Sequence, residues 1–281
     1  MALNSRPIIY SAKLLTALET SLVFAAPGVV NKDYEGEIRQ TGDTVKITTI
    51  GDPTIGTYVK GSTVISPEQL TDTQRSLQIT ESKYFAFEID DIDAVQHVAG
   101  AAAMSKALMR SAYKLRDAAD QFVAAKYTEA QTANQLGTVS VTTADLAYST
   151  LVDLSVALDE ADVQTEGRYV IVPPWYHGLL LENSKFVTVN ASGTSEGLRN
   201  GIVGRAVGFD ILKSNNCVNV TGDDFAVMAG VDTAISYADQ IVKTEIYRPE
   251  DSFSDAIKGL HVYGAKVVRP DSLATVIASK T

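Results

Sequence analysis

Residues 91–131 read DIDAVQHVAGAAAMSKALMRSAYKLRDAADQFVAAKYTEAQ, and this stretch decides the fold. It holds no proline and one glycine, Gly100, while ten alanines fall between Ala99 and Ala125. Alanine loses no side-chain entropy in a helix and is the strongest helix former. Ile92, Val95, Ala99, Ala102, Leu108, Ala112, Leu115, Ala119 and Phe122 keep a helical period. Asp90, Asp91 and Asp93 stand where the helix dipole favours negative charge. The same three carboxylates can be read as a hard-metal cluster, but a helix start explains them more simply. A single helix over this stretch reaches roughly 60 Å at ~1.5 Å per residue. The average globular helix has about 11–12 residues, so the pattern predicts an elongated, flat molecule.

Upstream, Asp43 to Ile50 alternates Val45 and Ile47 with Thr44, Lys46 and Thr48, as a strand does. A second strand is expected over 75–81, with Leu77 and Ile79 on one face, and a third over 83–89 through Phe85, Phe87 and Ile89. Between the first two lies a turn-rich span with Gly51, Pro53, Gly56, Gly61 and Pro67, long for a connection inside a compact domain. A two-stranded ribbon is marginal alone and needs a second surface. The first forty residues predict one short helix through Leu14, Leu15, Leu18 and Leu22, capped by Ser11 and stopped by Pro27 and Gly28. Such an arm has no core of its own and rests on its own subunit or a neighbour.

Downstream, residues 142–163 predict a helix capped by Thr143, with Leu146, Thr150, Val152, Leu154, Ala157 and Leu158 as its apolar stripe. Residues 168–172 form a buried-strand run ending in Pro173-Pro174, and Pro174 suits the first turn of a helix over 175–181. A glycine-rich span over 191–208 follows, then short strands at 209–212 and 225–229. The last third reads as strands at 235–237, 242–247, 259–268 and 274–278.

Composition narrows the function. The 281 residues carry a formal net charge of −10, and no basic run grips phosphate. Arg110, Lys114 and Arg116 read as a solvated helix face. Cys217, the single cysteine, forms no internal disulfide and reads as a small buried apolar residue in a reducing compartment. Met1 to Pro7 lacks a basic region leading into an apolar core, so no signal peptide is expected, and Leu22 to Val30 is too short to span a membrane. His97, His177 and His261 have no metal-ligand spacing. Asp223-Asp224 after Gly222 reads as a turn. The glycines over 193–208 match neither GxGxxG nor a Walker loop, and no GxSxG elbow occurs. No catalytic, cofactor-binding or metal site is expected, and no cofactor.

Several strings, in order, resemble the tailed-bacteriophage major capsid protein family with the Hong Kong 97-type fold. Gly42-Asp-Thr-Val-Lys-Ile47 is similar to the opening of that family's extended loop, and Glu88-Ile-Asp-Asp-Ile-Asp93 to the start of its spine helix. Arg168-Tyr-Val-Ile-Val-Pro-Pro174 resembles the core of its axial domain, and Gly204-Arg-Ala-Val-Gly-Phe-Asp-Ile211 a strand entry there. Lys258-Gly-Leu-His-Val-Tyr-Gly-Ala-Lys-Val-Val-Arg-Pro270 resembles the closing strand of the peripheral domain. The resemblance implies an α+β fold in five parts. These are an N-terminal arm (1–40), an extended β-hairpin loop (41–82), a peripheral domain with the spine helix (83–135), an axial domain (136–233) and a return to the peripheral domain (234–281).

It also implies a function. The chain is expected to self-assemble, as pentamers and hexamers, into an icosahedral shell that encloses double-stranded DNA without sequence-specific binding. The shell forms in the host cytoplasm, takes scaffolding, portal and decoration proteins as partners, and becomes the virion capsid. The arm-like segment near Met1 implies a separate scaffold, or none, and no large propeptide. Some family members crosslink a loop lysine to a neighbour's asparagine. Lys60 lies in the turn-rich region, but no partner matches by motif and no crosslink is carried over. Two other readings stay open: an encapsulin-like compartment that holds cargo protein, and a soluble α+β enzyme.

Overall fold

A computed structural model describes residues 22–33, 44–50, 54–58, 60–61, 67–69, 72–90, 100–183, 204–251 and 254–281. The helix expected through Leu14 to Leu22 and most of the glycine-rich span lie outside the described residues, and Leu22 itself is not helical.

Strands β1 (Thr44–Ile50) and β2 (Asp72–Gln78) form the expected antiparallel ribbon, with Val45 opposite Leu77. The second strand begins and ends three residues earlier than its alternation suggested. Ile79 and Thr80 instead carry the chain across into β3 (Glu81–Asp90). Helix α1 spans Gly100–Ala124, about 37 Å at 1.5 Å per residue. It stops short of the expected end at 131, since Ala125–Glu129 tighten into a 3-10 turn and Ala130 is extended. Asp90 ends β3, opposite Ser254. Asp91 and Asp93 lie outside the described residues.

The tightened turn has a partner. Glu129 takes Lys126 at 3.1 Å and Lys266 at 2.8 Å, which ties the end of α1 to the long sheet. Burial pushes the Glu129 carboxyl up, but hydrogen bonds and charge from Lys266 and Lys126 outweigh it and hold the group below its ordinary value. A carboxylate lowered in the folded state stabilises the fold above its unfolded value near 4.5, and that contribution is lost as pH falls through the lowered value. Denaturant unfolding from about pH 5 to about pH 3 is expected to show a steeper loss for the wild type than for Glu129→Gln.

Strands β4 (Gln135–Ser140), β5 (Tyr169–Val172), β6 (Arg205–Ala206), β7 (Phe209–Lys213), β8 (Asn219–Thr221) and β9 (Asp224–Gly230) interleave with helices α2 (Ala144–Glu160) and α3 (Pro174–Glu182). Thr143 Oγ1 accepts the Leu146 N–H at 3.3 Å, the expected cap. The buried stripe of α2 is Ala147, Thr150, Leu151, Leu154, Ala157 and Leu158. Thr150, Leu154, Ala157 and Leu158 are buried as expected, but Leu146 faces water and Val152 is half-buried, and Ala147 and Leu151 take their places. The β6–β7 turn, Val207-Gly208, takes positive φ at both positions (53° and 82°). That suits Gly208 and strains the β-branched Val207.

The last third holds three long strands, β10 (Ile235–Tyr247), β11 (Ser254–Val267) and β12 (Leu273–Ser279). The two strands expected over 235–247 are one, with a bulge between Ile241 and Lys243. Among the described residues β10, β11 and β3 form one sheet in that order. A mixed sheet follows the order β4-β12-β9-β5-β7-β6, with β8 on β9. The expected division at 234 grouped β12 with the first sheet. Its pairing is with β4 and β9 in the second, because nearly every β12 side chain is buried and the strand needs a layer on both faces.

Candidate assembly surfaces

The ribbon is rooted in its own chain. At the root, Ile47, Leu77 and Ile79 are buried against Ala238, Val262 and Val268. Arg75 Nη1 donates to the Val267 carbonyl at 3.3 Å. Beyond β1, the Thr54 N–H donates to the Glu68 side chain, which holds that exposed carboxyl below its ordinary value. Ile55 and Tyr58 are 95% and 65% exposed. An isoleucine left in water forfeits most of the ~1.5–3 kcal/mol that burying its side chain gains. Tyr84 on β3 and Met109 and Tyr113 on α1 are also exposed.

Residues 22–33 lie on the same subunit. Phe24, Ala25, Val29 and Val30 are buried beside Ala119, Val123, Tyr237 and Tyr263. Asn31 bridges to β10: its N–H donates to the Ile235 carbonyl at 2.8 Å and its carbonyl accepts from the Tyr237 N–H at 2.9 Å. Asp120, buried on the core side of α1, accepts the N–H groups of Val23 and Ala25. Burial raises its pKa, against those bonds and Arg116. Sequence reasoning missed Asp120. Its signal was a lone carboxylate between Ala119 and Phe122 on an apolar face.

The other singled-out residues do not converge. His261 is buried, with Nε2 3.3 Å from Asp239 Oδ2 and, among the described residues, no partner at Nδ1. His177 sits half-buried on α3, where burial and then Lys213 lower its pKa. His97 lies outside the described residues. Cys217 is buried, its Sγ donating to the Ser214 carbonyl at 3.4 Å, and burial pushes the thiol up to about 12. Asp223 lies in a turn, while Asp224 opens β9. Lys60 is exposed. Arg110 and Lys114 are exposed as expected, whereas Arg116 is half-buried with its guanidinium 4.4 Å from the Tyr113 ring centre. Among the described residues no group of three or more His, Cys, Asp or Glu could hold a metal. Among them, too, no helix is long and apolar enough to cross a membrane.

The ribbon is thus packed at its root on its own sheet, while Ile55 and Tyr58 beyond β1 are exposed. A family model described as phage capsid protein matches residues 74–276. The chain belongs to the phage capsid protein family. A solved structure from Mycobacterium phage Che8 is 32% identical to the capsid protein, with 92% of each chain covered and a TM-score of 0.75. The capsid structure of cyanophage P-SCSP1u is 17% identical, covering 87% of this chain and 85% of that one, at a TM-score of 0.71. A virus-like particle from Pyrococcus furiosus is 14% identical, covering 96% and 99%, at 0.56. These last two show a shared fold. No match was found among curated proteins. The capsid protein is a shell-forming structural subunit, with the mixed helix-and-sheet fold of phage capsids.

Proposed function

We propose that this capsid protein builds the icosahedral shell of a tailed bacteriophage, around double-stranded DNA, through pentamers and hexamers of one fold. The observation that carries the reading is the ribbon, whose root is buried on its own sheet while Ile55 and Tyr58 stand in water. An apolar tip held away from its own core fits a neighbouring subunit's surface. The division of labour follows the Hong Kong 97-type pattern. In it, the segment before residue 40 is the arm and the β1–β2 ribbon the extended loop. Helix α1 is the spine and the β10-β11-β3 sheet the peripheral domain. The mixed sheet with α2 and α3 is the axial domain, to which β12 is added. Scaffolding, portal and decoration proteins are its partners, and assembly takes place in the host cytoplasm. Its work is assembly, with no catalytic step.

The net charge of −10 supports a wall that encloses DNA without gripping it. The fold shared with the Pyrococcus furiosus virus-like particle keeps one second reading, a compartment holding protein cargo. Nuclease treatment of purified particles separates the two. Protected double-stranded DNA inside closed shells is the expected result. A single co-purifying protein with no protected DNA would favour the compartment.

A further inference from the structure

We infer that Gly264 sets the pose of the β1–β2 ribbon on the body of the subunit, through the close approach of β11 to the Gln78 carbonyl. The chain leaves the ribbon at Gln78 and enters β3 at Glu81, which pairs with Tyr263 of β11. Gly264 is the next β11 residue, held opposite Ala238 of β10, and lies beneath this crossing. A Cβ at Gly264 would stand 2.3 Å from the Gln78 carbonyl oxygen and 3.1 Å from both Gln78 C and Ile79 Cα. All three are backbone atoms, so no rotamer change relieves the overlap. At Gly259, by contrast, a Cβ would meet the Phe85 ring, a side chain. Because β11 is the middle strand of its sheet, the ribbon's exit is the part that must give.

The other contacts at the root converge on the same patch: Leu77 and Ile79 on Val262 and Ala238, and Arg75 on the Val267 carbonyl. A two-stranded ribbon has no core of its own, so its direction is decided where it is rooted. Its seven-residue strands span about 23 Å at ~3.3 Å per residue, so a small tilt at the root becomes a large displacement at the tip. The ribbon is therefore aimed within the single chain, before any neighbour is met. The consequence for shells rests on the reading of the ribbon as an assembly element; the pose itself does not.

Paired spin labels measure the pose. Cys217 is buried, so introduced cysteines take the label. Lys60→Cys with Glu160→Cys reports ribbon against body, and Glu160→Cys with Asp271→Cys reports the body alone, all three positions being exposed. Adding Gly264→Ala is expected to shift and broaden the first distance distribution and leave the second unchanged. Adding Arg75→Ala is expected to broaden the first without moving its centre as far. An unchanged first distribution in Gly264→Ala, with the body pair intact, overturns the inference. If Gly264→Ala also disturbs the body pair, Gly259→Ala on the same strand, where the clash is with the Phe85 ring, is the comparison: a larger ribbon shift in Gly264→Ala supports the inference, and an equal or smaller one overturns it. Shell yield is read in parallel, with a loss expected in Gly264→Ala. A shifted ribbon with full shell yield keeps the pose inference and overturns the ribbon's role in assembly.

Discussion

Arg168→Ala is expected to destabilise the folded chain by about 3 kcal/mol. The Arg168 side chain is 2% exposed and serves four groups. Its Nη2 lies 2.7 Å from Asp159 Oδ1 and donates to the Val163 carbonyl at 2.5 Å. Nε donates to the Gln164 carbonyl at 2.8 Å, and Nη1 reaches Ser155 Oγ at 3.5 Å. These contacts stitch the end of α2 and the loop after it to the start of β5, the strand with every side chain buried. Alanine leaves two carbonyls without donors and a void at the loop. Asp159 is half in water and keeps its solvation, so the cost sits at the low end for a broken buried pair. For a chain of this size that loss lowers the melting temperature by roughly 5–10 °C. Arg168→Lys keeps the charge but not the fork, and is expected to recover less than half of the loss. Thermal unfolding of the three proteins, unassembled, checks both statements.

The second prediction separates assembly from folding. Ile55→Glu with Tyr58→Glu is expected to abolish closed shells while moving the unfolding midpoint of the free subunit hardly at all. Ile55 is almost wholly and Tyr58 mostly in water, so the subunit loses little buried area, and exposed substitutions usually stay within about 0.5 kcal/mol. In a shell the cost is repeated at every copy. A pair of carboxylates forced into an apolar contact must be desolvated each time, and each unpaired charge costs several kcal/mol. Sedimentation of wild-type and variant assembly mixtures reads the first half, and calorimetry of the free subunit the second. Wild-type shell yield from the double variant would remove the ribbon tip from the interface.

Much of this architecture was legible because period and composition agree over long runs. The α1 helix, the β1–β2 ribbon, the all-apolar β5 and Pro174 opening α3 each follow from side-chain spacing and one stop or start residue. The misreadings have local causes. The helix end at Ala124 rather than 131 depends on Glu129 turning back to Lys266, a residue 137 positions away that no window includes. Pairing order escaped for the same reason. The run from Leu273 to Ser279 reads as a strand, but whether it joins β11 or β9 depends on which layer can cover both of its faces. Asp120 was invisible as a tie because it accepts from backbone N–H groups, and Arg168 because two of its four partners are backbone carbonyls; backbone groups leave no mark in a sequence. The ribbon's need for a second surface was legible. Its rooting at Gly264 was not, because a close backbone approach leaves no mark beyond a glycine in a strand.

Electron microscopy of the purified, full chain after size exclusion tests the central claim most directly. Uniform closed shells are expected, either from the chain alone or on co-expression with neighbouring phage genes. A chain that stays a compact monomer or small oligomer under every assembly condition, with those genes present, would contradict it.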